Sequence, residues 1–346
     1  MQAITTVGFD IAKSVFQVHG VDARGSVVVR RQLKRRYVLA FFKKLPPCLV
    51  GMEACGSAHH WARVLQGQGL SVGLIAAQFV KPYVKSNKND AADVEAICEA
   101  VARPHMRFVP VKSVEQQAVL AVHRARQGFV KVRTAQANQI RGLLAEFGLV
   151  IPRGLWHIHQ RVPALLERAA DALPLALRHL IERLLNQLKE LDRQVGELEA
   201  QIKAWHRSSE LSRRLEQIPG IGPLTASALV ASIADAKSFD SGRQLAAWLG
   251  LVPRQSSSGG KPLLLGMSKR GDVYLHTLMI HGARSALLAA QRKVGAADTW
   301  LGNLLRRRHV NVAAVALANK NARTVWALLA HDREFRSDYR PRLAAA

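Results

Sequence analysis

The sequence predicts an α/β domain joined to all-α segments, and three features of its pattern carry that expectation. Short apolar strands alternate with helices over roughly the first hundred residues. From Ser113 onward the periodicity is helical, with one long seam of apolar residues in heptad spacing. The last third carries a helix, a Pro219-Gly220-Ile221-Gly222 turn and a second helix. The expected borders are 1–110 for the α/β domain, 111–206 for a basic helix and coiled coil, 207–336 for a second helical domain, and 337–346 for a loose tail.

Within the first domain, Ile4 to Asp10 reads as an apolar strand. Val15 to Val21 alternates Phe16 and Val18 with Gln17 and His19, as a half-buried strand does. The turn Asp22-Ala23-Arg24-Gly25 leads to a third strand, Val27 to Arg31. A short basic helix follows over Val38 to Leu45, ended by Pro46-Pro47. Next come a buried strand from Cys48 to Glu53, a helix capped by Ser57, a strand from Leu70 to Ala77 and a helix from about Asn89. A three-strand meander followed by alternating helices and strands is the order of ribonuclease-H-like folds.

Ser113 with Gln116 fits a capping box for a helix that could reach Phe147 before Gly148. Arg124, Arg126, Lys131, Arg133 and Arg141 make this helix cationic, which suits phosphate contact. After Pro174, Leu177, Ile181, Leu184, Leu188, Leu191, Val195, Leu198, Ile202 and Trp205 alternate steps of four and three, the pattern of a coiled-coil seam. Such a seam can pair within the chain, against the preceding helix, or between chains.

Charge narrows the function. Fifty Lys and Arg against 25 Asp and Glu leave a formal net charge of +25. That excess is self-repelling unless a polyanion joins it, so nucleic acid is the expected partner. No apolar run reaches the roughly 18 residues needed to span a bilayer. The N-terminal MQAITTVGFD carries an acid where an export signal would be apolar. Cys48, Cys55 and Cys98 form no zinc pattern and suit a reducing compartment, so the expected location is cytoplasmic, with no membrane partner.

Four acids stand out against this cationic background. Asp10 ends the first strand, Glu53 ends the fourth, and Asp90 and Asp93 lie one turn apart at a helix start. Carboxylates gathered in this way repel one another unless a cation joins them. Two Mg²⁺ ions about 4 Å apart could then clamp the attacking and leaving oxygens of a phosphodiester.

In the last third, the turn glycines Gly220 and Gly222 make a helix-hairpin-helix, whose backbone N–H groups can approach a DNA phosphate. Ser256-Ser257-Ser258-Gly259-Gly260 follows, flanked by Arg254, Lys261, Lys269 and Arg270. Serine hydroxyls within a ring of cations could supply a nucleophile toward phosphate.

Asp10, Glu53, Asp90-Ala-Ala-Asp93, the heptad seam, Ile-Pro-Gly-Ile-Gly and Pro-Arg-Gln-Ser-Ser-Ser-Gly-Gly, followed by Met-Ser-Lys-Arg-Gly, together resemble one family over Val7 to about Ala330. It is the DEDD transposases of bacterial insertion sequences, the IS-one-ten (IS110) family, described as bridge-RNA-guided recombinases. The resemblance implies a RuvC-like N-terminal domain and a C-terminal transposase domain with a serine nucleophile. By motif it implies Asp10, Glu53, Asp90 and Asp93 as the Mg²⁺ tetrad and Ser258, directly before the glycine, as nucleophile, with Ser256 and Ser257 beside it. It further implies strand cleavage through a phosphoserine intermediate, a noncoding guide RNA that pairs with donor and target DNA, and a homo-oligomer, dimer or tetramer. Two rival readings use fewer of these residues. A RuvC-like structure-specific endonuclease would attack with water and ignore Ser258, and a non-catalytic nucleic-acid binding protein would need only the basic helices.

Overall fold

The computed structural model describes residues 3–85, 89–168, 173–292 and 299–336. The expected tail at 337–346 lies outside the described residues. The chain divides into two compact units, one up to Ser113 and one from Val114 onward.

In the first unit, strands β1 (Thr6–Asp10), β2 (Val15–Val21), β3 (Val27–Lys34), β4 (Leu49–Glu53), β5 (Ser71–Ile75) and β6 (Phe108–Val109) form a mixed sheet in the order β3-β2-β1-β4-β5-β6. β1 runs antiparallel to β2 and parallel to β4, and β4 runs parallel to β5. This order is compatible with the RuvC-like arrangement that the resemblance implies. The two-residue β6, antiparallel to β5, was not foreseen.

Helices α1 (Val38–Phe42), α2 (Ala58–Gln66), α3 (Ala77–Val80) and α4 (Asp90–Val101) complete the unit. The basic helix starts at Val38 as expected but ends at Phe42, with residues 43 and 44 in a turn before Leu45. One face of the sheet is closed by Phe9, Phe16, Phe42 and Trp61, with neighbouring ring centroids 4.9–6.1 Å apart. Edge-to-face and offset rings add to the burial of their area.

The other face is built differently. Gly8, Gly51 and Gly73 lie side by side across β1, β4 and β5. A Cβ on Gly8 would fall on the Val94 carbonyl oxygen, and one on Gly51 would meet Val101 at 2.6 Å. Bare backbone on this row lets the α4 backbone close on Gly8 and seats the Val101 side chain over Gly51.

The second unit is helical. α5 (Val114–Ala145), α6 (Leu155–Arg168) and α7 (Leu175–Ser208) lead to α8 (Glu210–Glu216), α9 (Pro223–Ile233) and α10 (Gly242–Trp248). A two-stranded sheet, β7 (Pro253–Gln255) with β8 (Leu264–Met267), precedes α11 (Val273–Gln291), α12 (Trp300–Arg307) and α13 (Val310–Ala330).

α5 and α7 pack antiparallel: Glu115 accepts a bond from Trp205 at one end, and Leu184 O accepts from Gln136 toward the other. Leu177, Ile181, Leu184 and Leu188 share a buried cluster with Ala137, Ile140 and Leu144 of α5 and with Ile158, Val162 and Leu166 of α6. The heptad seam is thus filled within one chain, and an intermolecular coil through the same residues has no free apolar face. α5 and α7 belong with the second unit, so the expected border at 206 runs inside it. Among the described residues, no helix is long and apolar enough to cross a membrane.

Candidate functional site

The four acids reach one end of the first unit's sheet by separate routes. In β1, Gly8 and Asp10 are two residues apart and share a face; in β4, Gly51 and Glu53 do the same. Both glycines face α4, so Asp10 and Glu53 project from the α4 side at the C-terminal ends of neighbouring parallel strands. α4 runs antiparallel to β1, since Val94 lies against Gly8 and Cys98 against Thr6. Its first turn, with Asp90 and Asp93, therefore points past Gly8 toward the Asp10 end. Asn89 sets that first turn: its side chain accepts from the Ala92 N–H at 2.7 Å.

Cys55 lies by the same strand ends. Burial first, then the negative charges of Glu53 and Asp10, push its thiol above its ordinary range. Among the described residues, no three acids, histidines or cysteines close round one point tightly enough to hold a metal. The structure gathers the tetrad on one face at one end of the sheet without closing it.

The serine block lies in a β-hairpin. Gly259 (φ 56°) and Gly260 (φ 75°) take left-handed conformations in succession, and Lys261 N–H donates to Ser258 O at 3.0 Å. That is a two-residue turn with positive φ at both central positions, a twist that matches paired strands. Ser257 faces inward on its hairpin: its Oγ accepts from Leu263 N–H at 3.1 Å and from Gln255 Nε2 at 2.9 Å. Ser258 stands at the corner of the turn, exposed, with no side-chain hydrogen bond among the described residues.

The root of the hairpin is clamped by backbone. Gly250 (φ 71°) packs so that a Cβ would strike the Arg270 carbonyl, and Gly271 (φ 128°) so that one would strike the Trp248 carbonyl. Ser268 N–H donates to Val252 O at 2.8 Å, and Asn319 Nδ2 to Leu251 O at 2.9 Å.

Residues 7–148, which contain all four acids, match a DEDD family described as transposase, and residues 212–297, which contain the hairpin, match the transposase IS116/IS110/IS902 family. A probable family 20 transposase of Pseudomonas aeruginosa is 53% identical over 96% of this chain and 99% of its own length. The transposase for insertion sequence element IS1111A of Coxiella burnetii is 46% identical over 97% and 92% respectively. The transposase for element IS1328 of Yersinia enterocolitica is 41% identical over 94% and 97%. The chain belongs to the IS110 family of DEDD transposases. It is an enzyme of DNA transposition, and DNA is its substrate.

The transposase spreads its cations unevenly. Arg126 bonds Glu199 at 2.9 and 2.6 Å, and Arg133 bonds Asp192 at 3.0 Å, each partly buried. These two, expected on phosphate, tie α5 to α7 instead. Arg124 and Lys131 are exposed as expected. Arg254, Lys261, Lys269 and Arg270 are also exposed, with no carboxylate partner among the described residues, and Lys269 holds a left-handed φ of 51°. Gly222 is exposed at the N-terminus of α9, where the helix-hairpin-helix reading places it. Gly220 (φ 92°) serves packing: a Cβ there would meet the Gly282 carbonyl oxygen of α11 at 2.7 Å.

A buried polar chain links α5, α9 and α11. Ser227 Oγ donates to Pro223 O at 2.6 Å, so it accepts from His123 Nε2–H at 3.1 Å. Nδ1 then accepts from the Tyr274 hydroxyl at 2.9 Å. Burial, with Arg126 adding to it, holds the imidazole neutral, its pKa lowered to about 4. Sequence reading missed His123, because a lone histidine inside a basic helix carries no spacing signal.

Proposed function

We propose that this transposase cuts and rejoins DNA by transesterification through Ser258, with Asp10, Glu53, Asp90 and Asp93 as its Mg²⁺ site and a noncoding guide RNA selecting the DNA. The observation that carries the serine role is the hairpin geometry: Ser258 stands exposed at the turn with its hydroxyl uncommitted, while Ser257 is tied into the hairpin. Support for the metal role comes from the donor chemistry, four carboxylates at one end of one sheet face, which suits a hard divalent ion. When bound there, the ion would stabilise charge developing on the scissile phosphate.

Ser258 Oγ attacks phosphorus; the new Oγ–P bond forms as the bond to the leaving deoxyribose oxygen breaks, and the serine proton ends on that oxygen. Arg254 and Lys261 on the same hairpin offset the phosphate charge. A hydroxyl of the partner strand then attacks phosphorus, displaces Oγ and returns the proton to it. The net charge of +25 supports the joint handling of DNA and RNA. Protomers assemble as dimers or tetramers through surfaces other than the filled heptad seam.

Trapping labelled DNA on the protein with guide RNA and Mg²⁺, then mapping the linked peptide, tests the chemistry. An adduct on Ser258, absent in Ser258→Ala, is the expected result. An adduct on Ser256 or Ser257 moves the nucleophile along the hairpin. Active recombination with no adduct overturns the serine mechanism in favour of water.

A further inference from the structure

Three arginines of α5 and α7 are compensated: Arg126 by Glu199, Arg133 by Asp192 and Arg193 by Glu190 and Glu197. Those at the end of α12 are not. Arg306 and Arg307 bond only Asn303 of their own helix, and Arg306, Arg307 and Arg308 have no carboxylate partner among the described residues. In the sequence from Val273 to His331, Asp298 is the one acid. Uncompensated positive charge on an exposed helix end is costly to the free protein and useful only against an anion.

An aromatic ring stands on the same stripe. At 100° per residue, Trp300, Asn303, Arg306 and Arg307 occupy the outward side of α12, while Leu301, Leu304 and Leu305 pack onto the core of the unit. Trp300 remains 46% exposed although Lys320 of α13 places its ammonium 4.7 Å from the ring centroid. The ring is thus held in position and still open to a flat partner.

We propose that Trp300, Arg306 and Arg307 form a docking surface for an unpaired stretch of the DNA strand. This rests on the reading that the transposase, whose substrate is DNA, holds strands of that DNA unpaired during exchange. The ring stacks on a base, which only an unpaired strand can present, and the guanidinium groups take the flanking phosphates. A bilayer surface would use the apolar face of α12, and that face is already spent on the core.

Fluorescence anisotropy of the full chain, carrying Ser258→Ala and without Mg²⁺, on a labelled oligodeoxythymidine and on a mixed-sequence duplex tests this apart from the cleavage chemistry. Trp300→Ala should weaken the single strand about tenfold and leave the duplex within about twofold. Trp300→Phe should restore most of the loss. Arg306→Ala with Arg307→Ala should weaken both forms and reduce the salt slope by about one to two.

Equal losses on strand and duplex from Trp300→Ala, or none on the strand, overturn the proposal. If Trp300→Ala fails to fold, the arginine pair, exposed and outside the core, decides: unchanged strand affinity overturns it. A Trp300 effect on phosphatidylglycerol vesicles but not on the strand also overturns it. Wild-type protein that binds neither form overturns this surface and the underlying reading together, whereas binding indifferent to Trp300 overturns this surface alone.

Discussion

Asp10 and Glu53 end strands that run through the middle of a six-stranded sheet, whereas Ser258 lies beyond the end of β7, in a hairpin whose two strands pair only with each other. The acids are placed by everything that makes the first unit fold: an aromatic cluster on one face and α4 pressed on a glycine row on the other. The serine is placed by a few backbone contacts at the hairpin root and a two-glycine turn at its tip. A site held by a core cannot be adjusted without cost to stability. A site on a clamped hairpin can be, because its residues are exposed and bury little.

The largest effect separating the two regions should come from Asp10→Asn. It should lower Mg²⁺-dependent strand exchange by at least about a hundredfold while RNA binding, read by gel shift, stays intact. Full exchange by this variant would remove the acids from the chemistry and leave the hairpin as the one chemical region.

Gly8→Ala and Gly260→Ala sharpen the comparison next. The first pushes a methyl into the Val94 carbonyl and should cost about 1–3 kcal/mol of the first unit's stability, visible in thermal melts. The second strains only a left-handed turn residue, by about 1–2 kcal/mol that the exposed turn can relieve by opening locally, and should reduce adduct formation while lowering the melting temperature less than Gly8→Ala does. Equal drops in melting temperature would mean that the hairpin is as integral to folding as the sheet.

His123 adds a pH dependence to the unit that carries the hairpin. Its imidazole titrates at about 4 in the fold against 6.5 in the unfolded chain, so the unfolded chain takes the proton first as pH falls. Stability is whole above about pH 6.5 and is lost progressively toward pH 4, by an amount of order 3 kcal/mol. Chemical denaturation across that window should show the loss, and His123→Gln should flatten it. A slope unchanged by the substitution would assign the acid sensitivity elsewhere.

The smallest effects concern α5. Arg124→Ala and Lys131→Ala should each reduce the salt slope of DNA binding by about one and leave stability within about 0.5 kcal/mol. Arg126→Ala should instead destabilise, because it leaves Glu199 without its partner and removes a bond to Tyr274.

Much of the first unit could be read from residues. Phe16 and Val18 against Gln17 and His19 gave the second strand, and Asn89 gave the start of α4. The glycine row was present as Val7-Gly8, Val50-Gly51 and Val72-Gly73, a repeated pair across three strands that strand periodicity alone does not interpret. The heptad seam revealed that Leu177 to Trp205 has a buried side but not that α5 and α6 cover it, since periodicity is blind to the partner. Arg126 and Arg133 looked free because Glu199 and Asp192 lie 73 and 59 residues away. Ser258-Gly259-Gly260-Lys261 carried a hairpin signal, masked by a serine run that resembles a spacer.

The glycine turn at 259–260 also sets the point from which positions along the hairpin are counted. Side chains alternate along the strand leading to the turn, so Ser258 and Ser256 look one way and Ser257 the other. Gain or loss of a single serine would leave a serine beside Gly259 in place and turn Arg254 and Gln255 to the opposite face relative to the turn. A length change of one residue therefore needs a register shift such as the one already present between Pro253 and Gln255, whereas a change of two keeps the faces as they are.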